Sequence, residues 1–147
     1  MAEDVKWILE REGPESRIFV YAHNAHIINA AIKGGVWDAF ARPPNSTGQH
    51  LRSDPGNRVV IIGTSFAQPA SSVQPGSLDA ALAQVGLSGF LLDLRPAYSD
   101  PAVSAWLRLE RPMQANIVTF LTIPTSIAFD AILFIDKAKQ LHKVKKE

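Results

Sequence analysis

A chain of 147 residues is long enough for one ordinary domain. Its 46% hydrophobic and 20% charged residues form a globular balance, which excludes a disordered chain. Fifteen Lys and Arg against fourteen Asp and Glu leave a net charge of +1, which excludes a strongly basic nucleic-acid binder, and the lack of cysteine excludes a disulfide framework, a thiolate metal site and a cysteine nucleophile.

The first residues, MAEDVKWILEREG, are charged throughout and hold no apolar signal segment. No apolar run reaches the ~20 residues of a membrane span. A cytoplasmic protein is expected, with neither nucleic acid nor membrane as a partner. Residues 2–12 are predicted helical, because Val5, Ile8 and Leu9 recur at helical spacing and Gly13-Pro14 follows. Ile18 to Ala22 is a continuous apolar run, predicted to be a strand buried on both faces. Val59 to Ile62, Phe90 to Leu92 with Leu94 after an interrupting Asp93, and Phe129 to Ile135 are further runs. Between them, Ser77 caps a predicted helix bearing Leu78, Ala81, Leu82 and Val85, with Gly86 just past its end. Asp100-Pro101 opens another, bearing Val103, Trp106 and Leu107. Residues 34–47 and 67–76 are predicted loops, rich in Gly and Pro. The expected fold is α/β, a mostly parallel sheet flanked by helices.

In such sheets, ligands meet the carboxyl ends of strands. After Ala22 comes His23-Asn24-Ala25-His26. If a helix begins there, the two imidazoles stand one turn apart and face one side. An imidazole titrates near neutral pH, so one ring can move a proton while the other steadies charge or water. Asn24 can orient a ring or donate to an oxyanion. The plainer reading is a strand end whose polar groups are satisfied by backbone. A His-x-x-His pair also supplies two metal ligands, but the spacing nominates no third among Asp38, His50 and Asp93; neither metal nor cofactor is expected. Trp37 and Phe40, in the loop just after this segment, are candidates for apolar contact with a bulky ligand.

Gly63-Thr64-Ser65-Phe66-Ala67 comes close to a nucleophile elbow, with Asp93, Asp130 and His142 following in triad order. The helix that an elbow needs does not follow Ser65, so Ser65 is taken as a strand-end hydroxyl at the rim of a cleft. Asp93 is expected to pair with Arg95, and Asp130 and Asp136 to serve structure or solvent. The five lysines from Lys137 onward mark a solvated tail.

FVYAHNAHI resembles the "WAHNxH" segment of the erythromycin esterase family. MAEDVKWILEREGPESRI resembles that family's "MAEN-x-x-W-L" helix, and TGQHLRSDPGNRVVIIGTSF its "MG-x-x-L" to "G-x-x-F" segment. GSLDAALAQVGLSGFLLDLR is similar to its "GS-L" to "FLLDLR" segment, and FDAILFIDKA to its closing "FDALLFID" strand. The likeness covers nearly the whole chain. It implies a hydrolase that opens a cyclic ester, a macrolide lactone, and so confers antibiotic resistance, by attack of water activated without a metal. It carries catalytic roles to His23 and His26 and a substrate contact to Asn24.

The departures are as informative. The family's "GE-x-(T/S)-H-G" motif, whose Glu and His are its water-activating pair, does not occur in this sequence, and Asp4 stands where the family has Asn. Residues 1–136 therefore look like the C-terminal portion of such a domain, from a truncated or split gene product, with 137–147 as the tail. The general base is then expected outside this sequence. The alternative is a non-catalytic fragment, or a half-domain that must associate with an N-terminal half to act. A sheet cut through its middle exposes an edge, so association with that half or with itself is expected.

Overall fold

The computed structural model describes residues 1–13, 15–54, 58–67, 73–115 and 119–137. Pro14, the middle of the 67–76 loop, His142 and the tail from 138 lie outside these residues.

Helix α1 spans Ala2–Glu12, with Glu3 and Asp4 in its first turn and Arg11 in its last, charges that suit the helix dipole. Val5 is its buried residue, and Lys6 reaches Asp54 at 3.5 Å. The predicted strand at 18–22 does not form a ladder. The segment carries no strand pairing among the described residues, and Phe19 and Tyr21 are each 87% exposed. A run apolar on both faces predicts a strand only if neighbours flank it, and the described residues supply none.

Helix α2 is one turn, Asn24–Ile27, and a 3-10 turn covers Gly35–Ala39. Helix α3, Thr47–Arg52, starts from a capping box. Ser46 Oγ accepts from Gln49 N at 3.1 Å, and Ser46 N donates to Gln49 Oε1 at 3.0 Å. The Ser-x-x-Gln signal stands in the sequence, although the stretch before it was expected to remain loop.

Strand β1 is Ile62–Phe66, β2 is Gly89–Asp93, β3 is Glu110–Gln114, β4 is Phe120–Pro124 and β5 is Ala131–Ile135. Helices α4 (Leu78–Ala83), α5 (Pro101–Arg108) and the short α6 (Thr125–Ala128) lie between them. The predicted caps are present: Ser77 Oγ accepts from Ala80 N at 3.1 Å, and Asp100 accepts from Ala102 N and Val103 N at 2.9 and 3.0 Å.

The sheet order is β1-β5-β2, and β3-β4 form a separate pair. Among the described strands only β1 with β5 is parallel; β2 with β5 and β3 with β4 are antiparallel. The fold is thus mixed α/β, and the expectation of a mostly parallel sheet is not met by the described strands. A continuous apolar run says nothing of strand direction. β1 also sits later than the run at 59–62. Its register, Ile62 opposite Ala131 through Phe66 opposite Ile135, draws Gly63, Thr64 and Ser65 into the ladder. Ser65 therefore lies within a strand, not on a turn after one.

The core joins Ile132 and Phe134 of β5 to Met113, Leu121 and Ile123 of the β3-β4 pair, all at most 1% exposed. Phe90 of β2 meets Phe134 with ring centroids 5.0 Å apart. The other face of the sheet is open: Ile62, Leu133 and Leu91 are 40%, 39% and 60% exposed. No helix among the described residues is long and apolar enough to cross a membrane.

Candidate functional site

The HNAH segment is held by its asparagine. Asn24 is 1% exposed, and its amide reaches the edge of β1. Nδ2 donates to the Thr64 carbonyl at 2.7 Å and to the Gln114 carbonyl at 3.3 Å. Oδ1 accepts from Thr64 N at 2.9 Å and from Thr64 Oγ1 at 3.3 Å. The Ile61 carbonyl accepts from Asp130 N, and Ala67 N donates to the Ile135 carbonyl, so odd-numbered backbone groups of β1 face β5. Those of Thr64 then face the free edge. The Asn24 side chain satisfies both, as a neighbouring strand would.

His23 stands at the N-cap of α2 with extended backbone (φ −63, ψ 152), and His26 N donates to its carbonyl at 2.9 Å. Both histidines are exposed while Asn24 between them is sealed. The imidazoles therefore reach solvent on either side of a buried anchor, one helical turn apart. Helix α3 braces the turn from behind. Ser46 Oγ donates to the Ile28 carbonyl, and Gly48 lies against the backbone of Ile27 and Ile28. A hollow of about 360 Å3 is lined by Met1, Ala2, Glu3, Asn45, Thr47 and His50; neither His23 nor His26 borders it.

The remaining candidates are placed apart. Trp37 packs partly buried against the core, and Phe40, 52% exposed, has its ring centroid 6.0 Å from that of Trp37. Asn24 has its amide engaged by the backbone of Thr64 and Gln114 and by the Thr64 hydroxyl. Ser65 is 0% exposed and donates to Asp79 Oδ1 at 2.6 Å, so it does not form a cleft rim here. No three His, Asp or Glu side chains among the described residues gather as a metal-binding group. Asp38 caps Gly34 N at 2.8 Å, and Asp93 is bonded by Arg95 Nε and Nη2 at 2.9 and 2.6 Å. That guanidinium holds the Asp93 carboxyl down at about 2. Asp130 accepts from Arg52 Nη2 at 2.5 Å and from Ile61 N at 2.7 Å, tying α3 to the starts of β1 and β5.

Asp79 lies in the first turn of α4. It is 0% exposed and accepts from Ser65 Oγ and, at 2.8 Å, from Gln114 N. It thereby joins α4, β1 and β3. Its approach to Ser65 spans 14 residues, which no local pattern announces. Burial pushes its carboxyl above the usual 3.8, against the lowering effect of these hydrogen bonds. An acid raised in the folded state stabilises the fold most below its unfolded value. The contribution of Asp79 is then full below pH 3.8 and declines as pH rises through the raised native value. In urea unfolding at acid and neutral pH, Asp79→Asn is expected to remove this decline while lowering stability overall. A variant that keeps the wild-type pH slope would contradict it.

With this geometry in place, comparison with known proteins decides the ancestry. The family model for erythromycin esterase matches residues 1–138. The chain belongs to the erythromycin esterase family. No curated protein sequence matches it. It is similar to the crystal structure of a Bacillus cereus protein at 27% identity and TM-score 0.61, over 78% of this chain and 32% of that one. It is also similar to the crystal structure of a succinoglycan biosynthesis protein at 26% identity and TM-score 0.55, over 78% of this chain and 31% of that one. The chain thus spans about a third of the length of these two family relatives.

Proposed function

We propose that this chain forms part of a carboxylic-ester hydrolase of the erythromycin esterase kind, which opens a lactone by His-assisted attack of water. The observation that carries the reading is the pair of exposed imidazoles flanking a sealed asparagine. Water adds to the ester carbonyl and loses a proton to a base. The tetrahedral intermediate expels the ring oxygen, which takes up a proton, and the product is a hydroxy acid. His23 serves as proton carrier or holds the carbonyl, and His26 supports it. The strong base is assigned to a segment outside this sequence. A macrolide lactone is the proposed substrate, with Trp37 and Phe40 offering apolar contact, and resistance to that antibiotic class is the proposed outcome. The cytoplasm is the proposed setting.

A second reading is favoured by one observation, the match to only 32% of the Bacillus cereus relative. Under it the chain is a half-domain, silent until the rest of an esterase domain joins it. Both readings are tested by combining the chain with the remainder of an esterase domain and following a macrolide by mass spectrometry for the gain of one water. Turnover is expected, and His23→Ala should lower kcat/KM by roughly 10²–10⁴-fold, the usual worth of a positioned acid or base. Unchanged turnover in His23→Ala and His26→Ala would remove both from the chemistry. Turnover by the chain alone would end the half-domain reading.

A further inference from the structure

The sheet presents one aliphatic face to solvent. In register, Thr64 of β1 stands opposite Leu133 of β5, which stands opposite Leu91 of β2. Ile62 lies on the same side, two residues before Thr64. These are β-branched and leucine side chains, with exposures of 39–60% for the three apolar ones. The opposite face holds Ile132 and Phe134, both 0% exposed. All-parallel sheets are covered on both faces, and β1 with β5 is the parallel pair of this mixed sheet. An open row of this kind is a contact surface rather than a finished exterior.

A second element is bare as well. The extended segment 18–22 leads straight into Asn24, the residue that closes the free edge of β1, yet it is joined to no strand among the described residues. The match covers only 32% and 31% of the two relatives, so most of their length has no counterpart in this chain.

We infer that the Ile62-Leu133-Leu91 face is the seat of an apolar helix from the portion of the esterase domain that this chain does not span. This rests on the half-domain reading above. The occupant is an amphipathic helix lying across β1, β5 and β2, with aliphatic residues at three- and four-residue spacing. A strand of the same partner adds to segment 18–22 through its unladdered backbone.

The test mixes the full chain with a polypeptide comprising the part of the Bacillus cereus relative that this chain does not match. A one-to-one complex is expected. The methyl resonances of Ile62, Leu91 and Leu133 should shift on binding, while that of Ile28, 0% exposed in the core, stays fixed. The double variant Leu91→Lys, Leu133→Lys should weaken binding about a hundredfold, which is about 2.7 kcal/mol. Trp7→Lys, on exposed α1, should leave binding unchanged. The methyl readout needs no variant and so survives a folding defect. The inference is overturned by no complex, by a complex that leaves the three methyls unmoved, or by a homodimer through this face that excludes the added polypeptide. A complex without turnover would refute hydrolysis and leave this surface standing. Turnover with unmoved methyls would do the reverse.

Discussion

Gly48→Ala is expected to lower stability by about 3 kcal/mol or more, the upper range for overpacking a closed contact. A Cβ at this position would stand 1.7 Å from the Ile27 carbonyl oxygen and 2.8 Å from that of Ile28. Both obstacles are backbone, so no rotamer change relieves them. Helix α3 must move off α2, and the Ser46 bond to Ile28 goes with it. The gain of about 1 kcal/mol in helix propensity from Gly to Ala is too small to compensate. Urea unfolding measures the loss. Gly76→Ala is the control: its φ is +78, but nothing lies within 4 Å of the added Cβ. It should cost about 1 kcal/mol, from left-handed backbone strain alone. Equal effects at the two sites would show that close approach at Gly48 is not what matters.

Asn24→Ala has the second large effect, about 2–4 kcal/mol. It removes four hydrogen bonds and leaves the Thr64 N–H and C=O at the edge of β1 without partners. Asn24→Asp should be at least as harmful at neutral pH. It keeps an acceptor for Thr64 N but loses the donor to two carbonyls and seals a charge at a 1% exposed position. His23→Ala and His26→Ala should shift stability by no more than about 0.5 kcal/mol, since both side chains are exposed. The segment thus separates into one residue that holds and two that are held. Loss of turnover in folded Asn24 variants, beyond the fraction unfolded, would show that the imidazoles depend on this anchor. Asn24→Ala with wild-type stability would contradict the edge-cap account.

The parts of this architecture that were legible in sequence are those written in adjacent residues. Ser77 and Asp100 announce α4 and α5 because a cap acts within three residues. FDAILFI announces β5 because the apolar run from Ala131 to Ile135 is unbroken. The β3-β4 pair was not read: Pro112 interrupts one strand and Pro124 ends the other, and both are short. The strand expected at 18–22 has the right composition, yet a strand is defined by its neighbours. At the site, the two histidines and their spacing are plain in the sequence. The duty of Asn24 is not, because its partner Thr64 lies 40 residues away. Ser65 and Asp79 fail for the same reason: a hydroxyl after an apolar run looks available until the fold brings a carboxylate to it.

The most direct measurement is an imidazole titration by nitrogen NMR on the chain joined with the rest of an esterase domain. The ligand is a macrolide analogue whose ring ester is replaced by an amide, so that it binds without turnover. The ring resonances of His23 and His26 should move together to saturation, while those of His50, which borders a separate hollow, stay in place. If His23 and His26 remain unmoved with the analogue bound, their exposure beside Asn24 has no part in holding the ester, and the hydrolytic account of this turn is wrong.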